Sequence, residues 1–194
     1  MRRHGMRKLP ILPTMFVAAA AAVMVVLGVW QMQRLHQKEA MLARYQAAQA
    51  SATEVSWPGR GAGAEMALYH RSRVDCRTVA GMTTVSGRNV AGEAGLAHVA
   101  DCRLADGSAV PVSLGWSRNP ASPAWSGGAV TGWIAPGPKL VADPAQAGLE
   151  GNARPDPRDM PNNHLAYAVQ WFFFAGVALV IYGLALRGRW REKR

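Results

Sequence analysis

Two stretches of the chain are apolar on every face, and between them apolar and polar residues alternate. Ile11 to Trp30 is the first apolar stretch. Pro161 to Leu186 is the second, opening on Pro161-Asn162-Asn163-His164-Leu165 and then running almost without charge. An apolar run of about 22 residues makes a helix of roughly 33 Å, enough to cross a bilayer. Each stretch is therefore read as a transmembrane helix (11–30 and 161–186). Gln31 to Gln49 contains no Pro or Gly and is rich in Gln, Ala, Met and Leu, all good helix formers. Met32, Leu35, Leu42 and Tyr45 fall on one face, so the first helix is predicted to continue through 31–50.

Ser51 to Ala64 carries Pro58, Gly59, Gly61 and Gly63 and reads as a loop. From Tyr69 the period changes to two. Strands are predicted over 73–79, 82–88, 96–104 and 109–116, with Asp106-Gly107 as the hairpin turn between the last two. Pro111 marks an edge or bulge. Shorter strands follow at 129–135 and 139–142. The predicted region, 69–142, is a small barrel or curled sheet. Pro144 to Pro161, with four prolines, is a connector back to the membrane. The fold class is a membrane protein: two transmembrane α-helices flank a mostly β (α+β) extracytoplasmic domain, 31–160. Ala18 to Ala22 and Gly176 sit near mid-depth of their helices, where small residues allow close packing.

The net charge of +10 over 194 residues changes meaning once it is located. Arg2, Arg3, Arg7 and Lys8 occupy the first ten residues, and Arg187, Arg189, Arg191, Lys193 and Arg194 occupy 187–194. The centre is nearly balanced, which argues against nucleic acid as a partner. Basic tails beside two spans follow the positive-inside rule. Both tails, 1–10 and 187–194, are placed in the cytoplasm and the domain on the outer side. A cleaved signal peptide fits less well, because the apolar run is long and no small-x-small site follows Trp30.

Chemistry is sparse. No Gly-rich phosphate loop, His-Glu-x-x-His, nucleophile elbow or paired-carboxylate site occurs, so the chain is not read as an enzyme. His36 reads as a solvated residue on the helical extension, and His70 and His98 read as structural. Cys76 and Cys102, in the similar tetrads Val-Asp-Cys-Arg and Ala-Asp-Cys-Arg, form a candidate disulfide in an outward-facing domain. A two-thiolate copper site and a pair of unbonded buried cysteines are the alternatives. His164 follows a helix-start signal, with Asn162 or Asn163 as the N-cap. It then lies at the positive end of the helix dipole, which disfavours imidazolium. Neutral imidazole is the metal-ligating form. Trp171, seven residues on, shares its face, with Tyr167 between. An interfacial His within an aromatic belt is the plainer alternative.

Leu27-Gly28-Val29-Trp30-Gln31 with Arg34 and Lys38 resembles the N-terminal signature of the surfeit locus protein 1 family, assembly factors for haem-copper cytochrome c oxidase. Asn162-Asn163-His164-Leu165-Ala166-Tyr167-Ala168-Val169-Gln170-Trp171-Phe172 resembles its C-terminal signature. Val112-Ser113-Leu114-Gly115-Trp116 and Val130-Thr131-Gly132-Trp133 resemble its central strands, although Leu114 stands where the family carries a basic residue. The resemblance implies a multi-pass protein of the cell inner membrane with a periplasmic domain. It also implies a non-catalytic role: binding haem a made by haem A synthase and aiding its entry into cytochrome c oxidase subunit I. His164 would then be the iron ligand, and Trp171 and Tyr167 would pack on the haem. A membrane scaffold that steadies an oxidase intermediate without touching haem is the alternative.

Overall fold

The computed structural model describes residues 9–51, 53–59, 61 and 63–192. Arg2, Arg3, Arg7, Lys8, Lys193 and Arg194, which carry much of the charge assigned to the tails, lie outside the described residues. In chain order the elements are α1 (Ile11–Ala50), β1 (Glu54–Val55), α2 (Ala64–Ala67), β2 (Arg71–Cys76), β3 (Thr78–Arg88), β4 (Ala94–Arg103), β5 (Ala109–Ser117), β6 (Gly128–Ala135), β7 (Lys139–Ala142), a short 3₁₀ turn (Pro157–Asp159) and α3 (His164–Glu192). They form two compact units. One holds the chain up to Met41 and again from Pro161, and the other is Leu42–Met160.

In the first unit α1 and α3 pair antiparallel. Thr14 hydrogen-bonds Tyr182, Gly28 faces Phe172, and Gln31 meets His164, so one helix ascends as the other descends. The covered positions recur at steps of three and four: Thr14, Val17, Ala21, Met24, Gly28, Gln31 and Leu35 on α1, and His164, Ala168, Trp171, Ala175, Ala178 and Tyr182 on α3. That spacing is the seam of two supercoiled helices. Small residues recur along it. Ala21, Ala168 and Ala175 are buried, and a Cβ added to Gly28 would stand 2.6 Å from the Phe172 ring. Gly176 is not on the seam. It is exposed and nothing approaches it, because Ala175 holds the inward position one residue earlier.

Outside the seam the helices show Leu12, Phe16, Val26, Phe173, Val180, Ile181 and Leu184. Only 11% and 6% of their most hydropathic windows are buried. A core helix of a water-soluble protein would be covered, so these apolar faces need lipid. Both helices are long and apolar enough to cross a membrane. α3 continues through Arg187, Arg189 and Arg191 without a break.

The second unit is one seven-stranded sheet in the order β1-β2-β6-β7-β5-β4-β3. Only Arg77 separates β2 from β3, yet they lie second and last in that order. The sheet must therefore curl until its two ends meet. Arg77 N–H donates to Arg103 O on β4 (2.9 Å) across the closure, and Cys76 and Cys102 are joined by a disulfide with Cα atoms 5.2 Å apart. Asp106-Gly107 turns β4 into β5. Gly107 takes φ +79°, a left-handed conformation that glycine adopts without steric cost. The Ser108 N–H and hydroxyl both donate to Asp106 Oδ1, which holds that carboxyl below the usual carboxylate range.

Two local expectations change. The 51–64 segment is not all loop, because Glu54–Val55 pairs in parallel with Arg71–Ser72. β5 is an interior strand, between β7 and β4, despite Pro111. Within β5 only Val112 and Ser113 pair with β7, so the missing proline N–H leaves no bond to β7 unmade. The irregularity falls instead at Leu114, which the register skips between His98↔Gly115 and Val99↔Ser113.

The 144–161 connector is a strap over this same sheet. Trp116 and Glu150 exchange backbone hydrogen bonds, Gln146 N–H donates to Leu114 O, and Ala153 N–H donates to Arg88 O. It occupies the part of β5 that β7 does not reach. The end of α1 also belongs to this unit: the Tyr45 ring packs on Tyr69 at 4.9 Å, and Gln49 Nε2 donates to Pro155 O. Tyr69 is buried at φ 65°. Burial first, then the neighbouring Tyr45, Asp159 and Asp156, raises its phenol pKa.

Candidate functional site

α3 starts where the Asn-Asn pair predicts. The Asn163 carbonyl accepts the Tyr167 N–H, which makes Asn163 the N-cap and puts His164 at the first helical position. His164 therefore stands at the head of the α3 seam row, facing α1. There its Nδ1 lies 2.8 Å from Gln31 Oε1. An amide oxygen only accepts, so Nδ1 carries the proton and donates. In the tautomer that makes this bond the lone pair is on Nε2. This is the arrangement by which metal-binding histidines are oriented, one ring N–H held by a carbonyl and the other nitrogen free to ligate.

His164 and α1 line an open cleft of about 510 Å³, with Trp30, Arg34, Gln37, Lys38 and Met41 as the other walls. That volume is in the range of small-molecule sites, roughly 300–1,000 Å³. The lining is mixed. Trp30 and Met41 give an apolar surface, and Arg34 and Lys38 give positive charge. The Arg34 guanidinium lies over the Trp30 ring at 5.6 Å and donates to Gln37 Oε1 at 3.1 Å.

Trp171 lies on the same seam row as His164, two turns or about 10 Å deeper along α3, with its ring edge-on to Phe174 at 6.5 Å. It does not line the cleft. Tyr167 is half-exposed, off the seam row. Cys76 and Cys102 are bonded to each other in the β unit, so neither sulfur is available as a thiolate ligand. Among the described residues no group of three or more His, Cys, Asp or Glu is placed to hold a metal ion.

The other histidines are placed differently. His98 is fully buried, with Nε2 2.8 Å from Ser117 Oγ and Nδ1 3.4 Å from Thr84 Oγ1. Ser117 gives its own hydrogen to Asn119 O. It therefore accepts from His98 Nε2–H, and Thr84 donates to Nδ1. Both ring nitrogens are used within the β unit. His36 is exposed on α1.

Trp30, Gln31, Arg34 and Lys38 stand in the N-terminal signature, Trp30 as an interfacial residue, but none of them is expected at the site from sequence. Their signal was the spacing. Trp30, Arg34 and Lys38 recur every four residues, with Gln37 and Met41 four apart beside them, so all five share one side of a helix. Gln31 stands on the α1 seam row, where only a partner helix reveals its use.

No curated protein matches the sequence. The SURF1 family matches over residues 18–176, a range that takes in Gln31, the whole β unit and His164. With two membrane-capable helices around a β domain, and with both of its signature segments meeting at one histidine, the chain belongs to the SURF1 family, which acts in the assembly of cytochrome c oxidase.

Proposed function

We propose that the protein binds haem a through His164 and aids its insertion into cytochrome c oxidase subunit I, receiving it from haem A synthase. One observation carries this reading: a histidine whose Nδ1–H is committed to Gln31, beside a cleft walled by an indole and two cations. Imidazole with a free Nε2 lone pair is an axial ligand for haem iron. The residues suit the rest of the molecule too. A tetrapyrrole is apolar on its faces and carries acid groups on its edge, and the cleft offers an apolar wall and positive charge. Trp171 and Tyr167, neither of which lines the cleft, are proposed to pack on the macrocycle only where it extends beyond the cleft toward the membrane.

The role is that of a carrier. A single protein ligand with apolar contacts holds haem less firmly than two histidines would, which suits hand-over. The termini are assigned to the cytoplasm and the β unit to the periplasm of a cell inner membrane. The sequence's basic ends support that orientation, and the Cys76–Cys102 disulfide fits an oxidising compartment.

The test is the pigment that co-purifies from cells making haem a. Wild type should carry a Soret band and His164→Ala should lose most of it. Equal haem content in both would remove His164 from the role, and no pigment in either would favour a scaffold that never touches haem.

A further inference from the structure

We infer that Arg34 and Lys38 are a carboxylate-binding subsite of the His164 cleft, holding the paired acid side chains of the porphyrin; this rests on the haem reading above. The two cations are four residues apart on α1 and line one cleft. Like charges at that spacing repel on a bare helix, and an anion held between them would relieve that repulsion. Among the described residues neither cation is in an ion pair. The nearest carboxylate in sequence, Glu39, is exposed and does not line the cleft.

Arg34 is also held in place without being neutralised. Trp30 lies under its guanidinium and Gln37 takes one N–H. A fork fixed by uncharged partners keeps its remaining donors for a bidentate acid. Depth fits as well. Gln31 marks the level of the His164 ring, and Arg34 and Lys38 lie about 4.5 and 10 Å further along α1. Trp30 marks the membrane interface. A porphyrin ligated at His164 would point its acid edge away from the apolar core, toward the two cations. Ligation would fix the iron, and the cations would fix the rotation of the ring about it.

Lipid phosphate is the other anion at this depth, and the test separates the two. The full-length protein in phosphatidylcholine nanodiscs is titrated with haem a and with its dimethyl ester, following the Soret band. Haem a should bind about tenfold more tightly than the ester, the sum of two modest ion pairs. In the Arg34→Gln/Lys38→Gln variant, haem a should fall to the ester's affinity, with the Soret position unchanged because His164 still ligates. Equal affinity for acid and ester in wild type, with a His164-dependent band present, would overturn the subsite and leave the haem reading standing. No band with either compound would overturn both.

Discussion

The two units of this protein are built inside out relative to each other. In the β unit the core is apolar: Val74, Val110, Val112, Leu114, Val130 and Leu140 are buried, and Arg73, Asp75 and Arg103 face outward. In the helix unit many large apolar side chains face outward, Phe16, Val26, Phe173 and Leu184 among them, and the covered row mixes Leu35 and Trp171 with small and polar residues such as Thr14, Ala21, Gly28, Gln31, Ala168, Ala175 and Tyr182. The difference is the solvent. Water drives apolar groups inward. Lipid offers no such drive, so helices associate through small residues and polar pairs such as Thr14 with Tyr182. His164 draws its character from this second kind of interior. It is a polar group that one amide oxygen fixes on one side only. His98, in the water-solvated unit, is bonded through both nitrogens and has none to offer.

The largest expected effect separates the units by covalent chemistry. Replacing Cys76 and Cys102 by Ser opens a loop of 26 residues, worth about 3.5 kcal/mol on the chain-entropy account. The denaturation midpoint of the β unit in the full chain, read by near-ultraviolet circular dichroism, should drop accordingly. Bound haem should keep its Soret position, since the ligand lies in the other unit. A midpoint unchanged on reduction would remove the disulfide from the stability of the barrel.

The next effect sharpens the contrast between the two histidines. Gln31→Leu removes the amide oxygen that orients His164 and should weaken haem a binding about 10- to 100-fold. Gln31→Glu keeps an acceptor and should retain most of the affinity. Ser117→Ala, at the partner of His98, should leave haem binding as it was. Titration of the three variants in one detergent gives the comparison. Similar losses for Gln31→Leu and Ser117→Ala would erase the distinction drawn between the two interiors.

The smallest effect belongs to the water-facing surface. The Arg158 side chain and backbone N–H hold the Asp156 carboxyl below the usual carboxylate range. A lowered folded-state pKa stabilises above the unfolded value of about 4 and loses that contribution as pH falls through the folded value. The pair is exposed, so Asp156→Asn should cost at most about 0.5 kcal/mol at pH 7. The difference from wild type should shrink below pH 4, as read from urea midpoints at the two pH values. A difference that grows in acid would reverse the assigned sign.

Period and punctuation made most of the fold legible. The two apolar runs, the helix through Ala50, the Asp106-Gly107 hairpin and six of the seven strands could be read because each is a local pattern. The 144–161 strap was not legible. Its prolines resemble a linker, and its pairing with Trp116 and Leu114 depends on an open stretch of β5 that no local pattern announces. On β4, Ala97 to Ala100 are buried without alternation. Gly176 misled because depth in a membrane is readable from sequence and facing is set by the partner helix. At the site, the Asn-Asn-His start fixed His164 at the head of α3. Gln31 lies 133 residues away and is invisible to any local reading, although Trp30, Arg34 and Lys38 share one helical stripe.

Ligation by one imidazole can be tested by removing that ring and returning it. His164→Gly, purified in detergent and loaded with haem a, should lack the wild-type Soret band and regain it when free imidazole is added. A His164→Gly protein that keeps the wild-type spectrum without imidazole would place the iron on another residue and contradict the account.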